Sequence, residues 1–200
     1  MLHFLAALQR LFFRPKSVAW VSENGAQLLG LPLFYKGSEA LPYGRVATQR
    51  QRGPEALIIH HPAAAKGASI HDLIRFINRP RRDGNMYGYH FLIDRDGTIY
   101  QTAPLNKRTN HIKPPGSKRR RAFGRVAHNA NTLGICFHLA SHNPHMAPTP
   151  SQQAAGMRLV KALQHIYGPL PTYGHGEIQT DKQPDEGRVF AQTIRRKFPL

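Results

Sequence analysis

Hydrophobic and polar positions alternate along this chain with the periods of an α/β domain. Ala56-Leu57-Ile58-Ile59 is a continuous apolar run closed by His60, the pattern of a strand buried on both faces. After Ser69, the residues Ile70, Leu73, Ile74 and Ile77 recur at helical spacing, and Asn78-Arg79-Pro80 predicts the stop. Tyr89 to Ile93 and Thr98 to Tyr100 flank Asp96-Gly97, a strong hairpin signal. Leu133, Ile135, Phe137 and Leu139 alternate with Gly134, Cys136 and His138, predicting another strand. Thr149 opens a second helix, with Pro150 at its first position and Gln152 three residues past the cap. Leu159, Val160, Leu163, Ile166 and Tyr167 form its apolar stripe, and Gly168-Pro169 ends it.

Upstream, Val18 to Val21 and Leu28 to Tyr35 read as the arms of a hairpin turned at Glu23-Asn24-Gly25. A polar stretch from Ala47 to Pro54, with Arg45, Arg50 and Arg52 in or near it, separates this hairpin from the strand at Ala56. The predicted order is β, α, β-hairpin, β, α, then a polar loop and a short C-terminal helix. That order predicts an α/β domain: a mixed central β-sheet flanked by helices, with an N-terminal hairpin extension. Residues 1–50 are assigned to the extension, which also holds a short amphipathic helix, and 51–200 to the main domain.

Composition changes this picture in three ways. With 200 residues, 40% hydrophobic and 20% charged, the chain reads as one globular domain of ordinary size plus an extension. The net charge of +17 predicts attraction to a polyanion such as nucleic acid, anionic lipid head groups or acidic cell-wall polymer. Nucleic acid is disfavoured, because no basic recognition helix, zinc-finger spacing or aromatic RNA-binding motif accompanies the charge. The single cysteine, Cys136, excludes an internal disulfide and reads as a buried core thiol. No apolar run approaches the roughly 18 residues of a membrane span. The apolar start, Met1 to Leu8, lacks a basic n-region and a cleavage site, so no signal peptide is expected.

Twelve histidines supply the candidate chemistry. Catalytic zinc takes three protein ligands and leaves a fourth position for water, and strand ends fix such ligands well. His60 stands at a strand end, His175 lies in Tyr173-Gly174-His175-Gly176-Glu177-Ile178, and Asp185 comes ten residues later. Spacing alone does not make these three a metal site.

Several segments together carry a resemblance. They are Ile58-Ile59-His60-His61, Gly88-Tyr89-His90-Phe91-Leu92-Ile93, Arg95-Asp96-Gly97-Thr98-Ile99-Tyr100-Gln101, Asn131-Thr132-Leu133-Gly134-Ile135-Cys136 and Gly174-His175. Over roughly residues 55 to 190, in order, the chain resembles the zinc-dependent N-acetylmuramoyl-L-alanine amidases, a family that includes phage amidase-type lysozymes and animal peptidoglycan-recognition proteins. The resemblance implies His60, His175 and Asp185 as zinc ligands, Glu186 as the alternative third ligand, and His61 turned away from the metal. It implies Tyr89 as the residue that positions and deprotonates the attacking water, and Lys182 as the cation that stabilises the oxyanion. Two residues, Gln183 and Pro184, separate Lys182 from Asp185 where the family usually has one, and Asp185-Glu186-Gly187 replaces the usual Asp-Pro-Gly. His111 matches a histidine on the substrate side of the cleft, and reads equally as a solvated loop residue.

The function implied is cleavage of peptidoglycan between N-acetylmuramic acid and L-alanine by zinc-activated water, in a monomer. The alternative is a non-catalytic peptidoglycan-binding module of the same fold. Ser117 to Arg125 carries Lys118, Arg119, Arg120, Arg121 and Arg125; it suits contact with anionic wall polymer or lipopolysaccharide, or stands as a solvated loop. Cytoplasmic synthesis with action on the cell wall, as for a phage-type lysin, is the expected setting; a cytoplasmic recycling amidase is the other.

Overall fold

The computed structural model describes residues 33–35, 50, 52–61, 67–77, 88–112, 121–122, 125–139 and 146–199. Its centre is a six-stranded sheet. Strand β1 (Leu33–Tyr35) forms one edge, parallel to β4 (Ile99–Gln101), and β4 is antiparallel to β3 (Phe91–Ile93). Strands β3, β7 (Thr132–Phe137), β2 (Ala56–His60) and β8 (Thr172–Gly174) then run parallel. A separate two-residue ladder pairs β5 (Arg121–Ala122) with β6 (Arg125–Val126). The helices are α1 (Ile70–Ile77), α2 (Pro150–Tyr167), the single turn α3 (His175–Ile178) and α4 (Arg188–Lys197).

Strand alternation decides what each face buries. Leu57 and Ile59 of β2, with Leu133, Ile135 and Phe137 of β7, pack against Leu159, Val160 and Leu163 of α2 and Phe190 and Ile194 of α4. Burial of each such side chain contributes roughly 1.5–3 kcal/mol. On the other face, Ile70, Leu73, Ile74 and Ile77 of α1 cover Leu92 and Cys136. His60, one residue past Ile59, therefore emerges on the face opposite α2 and at the carboxyl end of a parallel strand, where open α/β sheets build their sites.

Helix α2 starts as its sequence predicts. Thr149 accepts from the Gln152 amide and the Gln152 side chain accepts from the Thr149 amide, a complete capping box. Gln152 does more: its fully buried Nε2 donates to Ile93 O and His138 O, tying the ends of β3 and β7 to the helix. Gln152→Leu leaves the buried His138 carbonyl without this donor, while Ile93 O keeps the His138 amide at 2.9 Å, and is expected to cost about 1–3 kcal/mol. Thermal denaturation should show Tm lower by about 2–12 °C, at about 2–4 °C per kcal/mol for a chain of this size; an unchanged Tm would refute the bridging role.

Leu33–Tyr35, read as part of a hairpin arm, is a strand, and it lies parallel to β4 at the sheet edge. Val18 to Val21 and the turn at Glu23-Asn24-Gly25 lie outside the described residues. The segment around His175, read as a loop, is the strand β8 followed by the turn α3. Three strand residues are too few to show a period, and pairing with buried β2 defines them. Among the described residues no helix is long and apolar enough to cross a membrane.

Candidate metal centre

Strand β2 delivers His60 and the β8–α3 junction delivers His175 from the adjacent strand, so the two rings meet with centroids 4.3 Å apart. The loop before α4 supplies Glu186. Its Oε1 lies 2.8 Å from His175 Nδ1 and 3.6 Å from His60 Nδ1, and the three ligating atoms all lie within 4.8 Å of one another. Gly187 lets the loop approach this closely. Its φ is 74°, and a Cβ there would stand 2.0 Å from Ile59 O, so any side chain would push Glu186 off the strand end.

Asp185 is turned the other way. It pairs with Arg188 and borders a crevice that also contains His61, Met146 and Val189. Adjacent residues of one loop thus face opposite sides, and the one that reaches the histidines is Glu186.

The residues fit a zinc ion. Tetrahedral zinc with ligands about 2.0–2.1 Å away separates its donors by roughly 3.4 Å, close to the spacing here. His60 Nδ1 is buried without a hydrogen-bond partner, a lone pair that only a cation or proton would satisfy. Two imidazoles and a carboxylate are also the donor chemistry of catalytic zinc sites.

Electrostatics favour the ligand forms. Burial, and then His175, lower the pKa of His60 to about 3, so the ring is neutral near pH 7. Burial raises the pKa of Glu186, but His175, hydrogen-bonded to it at 2.8 Å, and His60 beside it outweigh burial and hold the carboxyl well below the usual carboxylate range. Burial also holds His90 and His111 far below the ordinary histidine range, with Arg50 adding to the effect at His90 and His60 at His111.

A pH dependence is expected from these shifts. The three rings stay neutral in the folded chain but take up protons on unfolding below about 6.5, the ordinary histidine value. Stability of the metal-free protein should therefore fall as pH drops below about 6.5, by up to about 1.4 kcal/mol per pH unit for each ring, continuing for His60 to about 3. Urea midpoints at stepped pH measure it; a midpoint constant from neutral pH to about 4 would contradict it.

The other expected residues distribute unevenly. The Tyr89 ring lies 4.9 Å from that of His60, and its side chain hydrogen-bonds the Cys136 thiol on the buried strand. Burial pushes that thiol far above its ordinary range, in keeping with a core role. Lys182 is half-buried and close enough for its charge to depress His60. His111 is buried, 5% exposed, with Nδ1 3.0 Å from His60 Nε2, so it stands behind His60 and not in solvent. Arg119 and Arg120 lie outside the described residues, and Arg121 enters β5.

Sequence reasoning missed two buried contributors. Gln179, four residues after His175, accepts at Oε1 from His175 Nε2; its i, i+4 spacing was the available signal. Arg50, in a stretch read as a polar separator, is 2% exposed and donates to Lys107 O and Ala130 O at 3.0 Å each and to Thr132 O.

The sequence model of the N-acetylmuramoyl-L-alanine amidase family matches residues 49–188. The chain belongs to that family. No curated protein matches it in sequence. Among solved structures, the endolysin amidase LysCS of Clostridium intestinale superposes with TM-score 0.59 at 21% identity, covering 84% of this chain and 95% of its own. A Thermus scotoductus bacteriophage endolysin gives TM-score 0.61 at 19% identity, covering 82% and 97%. The Drosophila peptidoglycan recognition protein SD gives 0.61 at 18%, covering 84% and 95%. The mixed sheet flanked by helices is thus the amidase and peptidoglycan-recognition fold, and this family member carries its His-His-Glu cluster at the carboxyl edge of that sheet.

Proposed function

We propose that the chain is a zinc-dependent amidase acting on the bond between N-acetylmuramic acid and L-alanine in peptidoglycan, of the phage-lysin kind. The observation that carries the reading is the buried, unpartnered Nδ1 of His60 facing His175 Nδ1 and the ionised Glu186. His60, His175 and Glu186 would hold the ion, and Glu186 takes the place expected of Asp185. Zinc, when bound, supplies Lewis-acid chemistry that polarises the scissile carbonyl and makes water acidic enough to react near neutral pH.

The chain's own groups supply the rest. Tyr89, packed on His60 and anchored through Cys136, would orient the attacking water and move its proton. Lys182 offers a cation to the charge that develops on the carbonyl oxygen. The net charge of +17 draws the protein to anionic wall polymer, with Arg119, Arg120 and Arg121 in a basic segment suited to that contact.

Two results test the reading. Zinc titration of metal-free protein should saturate at one ion per chain, and His60→Ala should abolish it; a wild-type chain that binds none would sink the proposal. Tyr89→Phe should lower kcat of the zinc-loaded protein by roughly 100-fold or more, the scale of a general acid–base group, with zinc content unchanged. Full turnover in Tyr89→Phe would remove Tyr89 from the mechanism.

A further inference from the structure

Each candidate ligand histidine has its second ring nitrogen held by a buried acceptor. Thr132 Oγ1 donates its one proton to His128 O at 2.8 Å, so towards His111 Nε2, 3.1 Å away, it accepts. His111 therefore carries its proton on Nε2 and turns a bare Nδ1 towards His60 Nε2, 3.0 Å away. Among the described residues the His111 ring bonds Thr132 and His60 and no carboxylate, so nothing there holds a second proton on it. His60 must then donate from Nε2, which leaves its Nδ1 bare and facing Glu186. The second arm works alike. Gln179 donates from Nε2 to Asp181 at 3.3 Å, which aims its Oε1 at His175 Nε2 and turns His175 Nδ1 towards Glu186 Oε1, 2.8 Å away.

We infer that His111 and Gln179 are positioning residues that hold Nε2 of His60 and of His175 as a donor, so that both rings present Nδ1 to the metal. The inference rests on the reading of His60 and His175 as ligands. Gly134 makes the first arm possible: a Cβ there would lie 2.8 Å from His111 Cγ and Nδ1. The glycine of the strand motif thus makes room for the outer histidine. Outer partners of this kind orient the ring and raise its basicity, and their loss typically costs 10–100-fold in metal affinity.

The first measurement is long-range proton–nitrogen NMR on the metal-free, histidine-labelled wild-type chain. A proton on Nε2 of both His60 and His175 is expected; a proton on Nδ1 of His60 would overturn the inference. It does not depend on metal binding, so it decides the tautomer even if the metal reading fails.

Competition with a chromophoric zinc chelator is the second. His111→Leu and Gln179→Leu should each weaken zinc binding by about 10–100-fold. His111→Asn, whose Oδ1 takes the place of Nδ1, should recover most of the loss. Gly134→Ala should weaken binding by displacing His111 without touching a ligand. Wild-type affinity in a folded His111→Leu would overturn the inference while leaving the metal reading intact. Absence of zinc binding in the wild type would overturn the metal reading instead.

Discussion

Glu186→Gln is expected to lower zinc affinity by more than ~100-fold, beyond the range typical of outer partners, and to remove amide hydrolysis with it. The substitution keeps the shape of the side chain and deletes the charge that faces both histidines. A neutral carboxamide in this buried pocket offsets neither the ion nor the desolvation it suffers on entry. Asp185→Asn is the paired control. Its carboxylate meets Arg188 on the other side of the loop, a partly exposed pair that does not touch the histidines. Zinc binding and turnover of Asp185→Asn should therefore stay close to wild type. The reverse pattern, with Asp185→Asn inactive and Glu186→Gln intact, would assign the third ligand to Asp185.

Arg50→Met is expected to destabilise the fold by about 3 kcal/mol. The carbonyl oxygens of Ala130 and Thr132 lose this donor, at roughly 1–3 kcal/mol each if unsatisfied, while Lys107 O keeps His90 Nε2 at 3.1 Å. Relief of the buried cation offsets part of that, since burial lowers the Arg50 pKa to about 9. The net corresponds to a Tm lower by about 6–12 °C. Arg50→Lys should not rescue it, because one ammonium cannot span three carbonyls that the planar guanidinium reaches from separate nitrogens. Thermal and urea denaturation measure both variants; a Tm within about 2 °C of wild type for Arg50→Met would show that the clasp carries no weight. Because Arg50 joins the loop before His111 to the start of β7, its loss should also weaken zinc binding.

Legibility in the sequence tracks where periodicity exists. The buried strand ending in His60, the Asp96-Gly97 hairpin and the Thr149–Gln152 capping box are local patterns, and the structure contains each. Strand β8 was not legible, because three residues define no period and only pairing with β2 makes them a strand. The choice between Asp185 and Glu186 was not legible either: the loop before α4 has no repeating pattern to say which carboxylate turns inward. Arg50 looked like part of a solvated linker, since an arginine among polar residues gives no local sign that three distant carbonyls await it. His111 drew attention as a histidine near the site, but its place behind His60 depends on Gly134 on another strand.

The most direct test of zinc-dependent amide cleavage is release of new L-alanine amino termini from purified peptidoglycan, without chelator, with chelator, and with zinc restored. Termini should appear with the untreated protein, vanish with chelator and return with zinc. No release from intact wall or soluble muropeptides, by a protein shown to hold zinc, would contradict amidase activity and favour a peptidoglycan-binding module of the same fold.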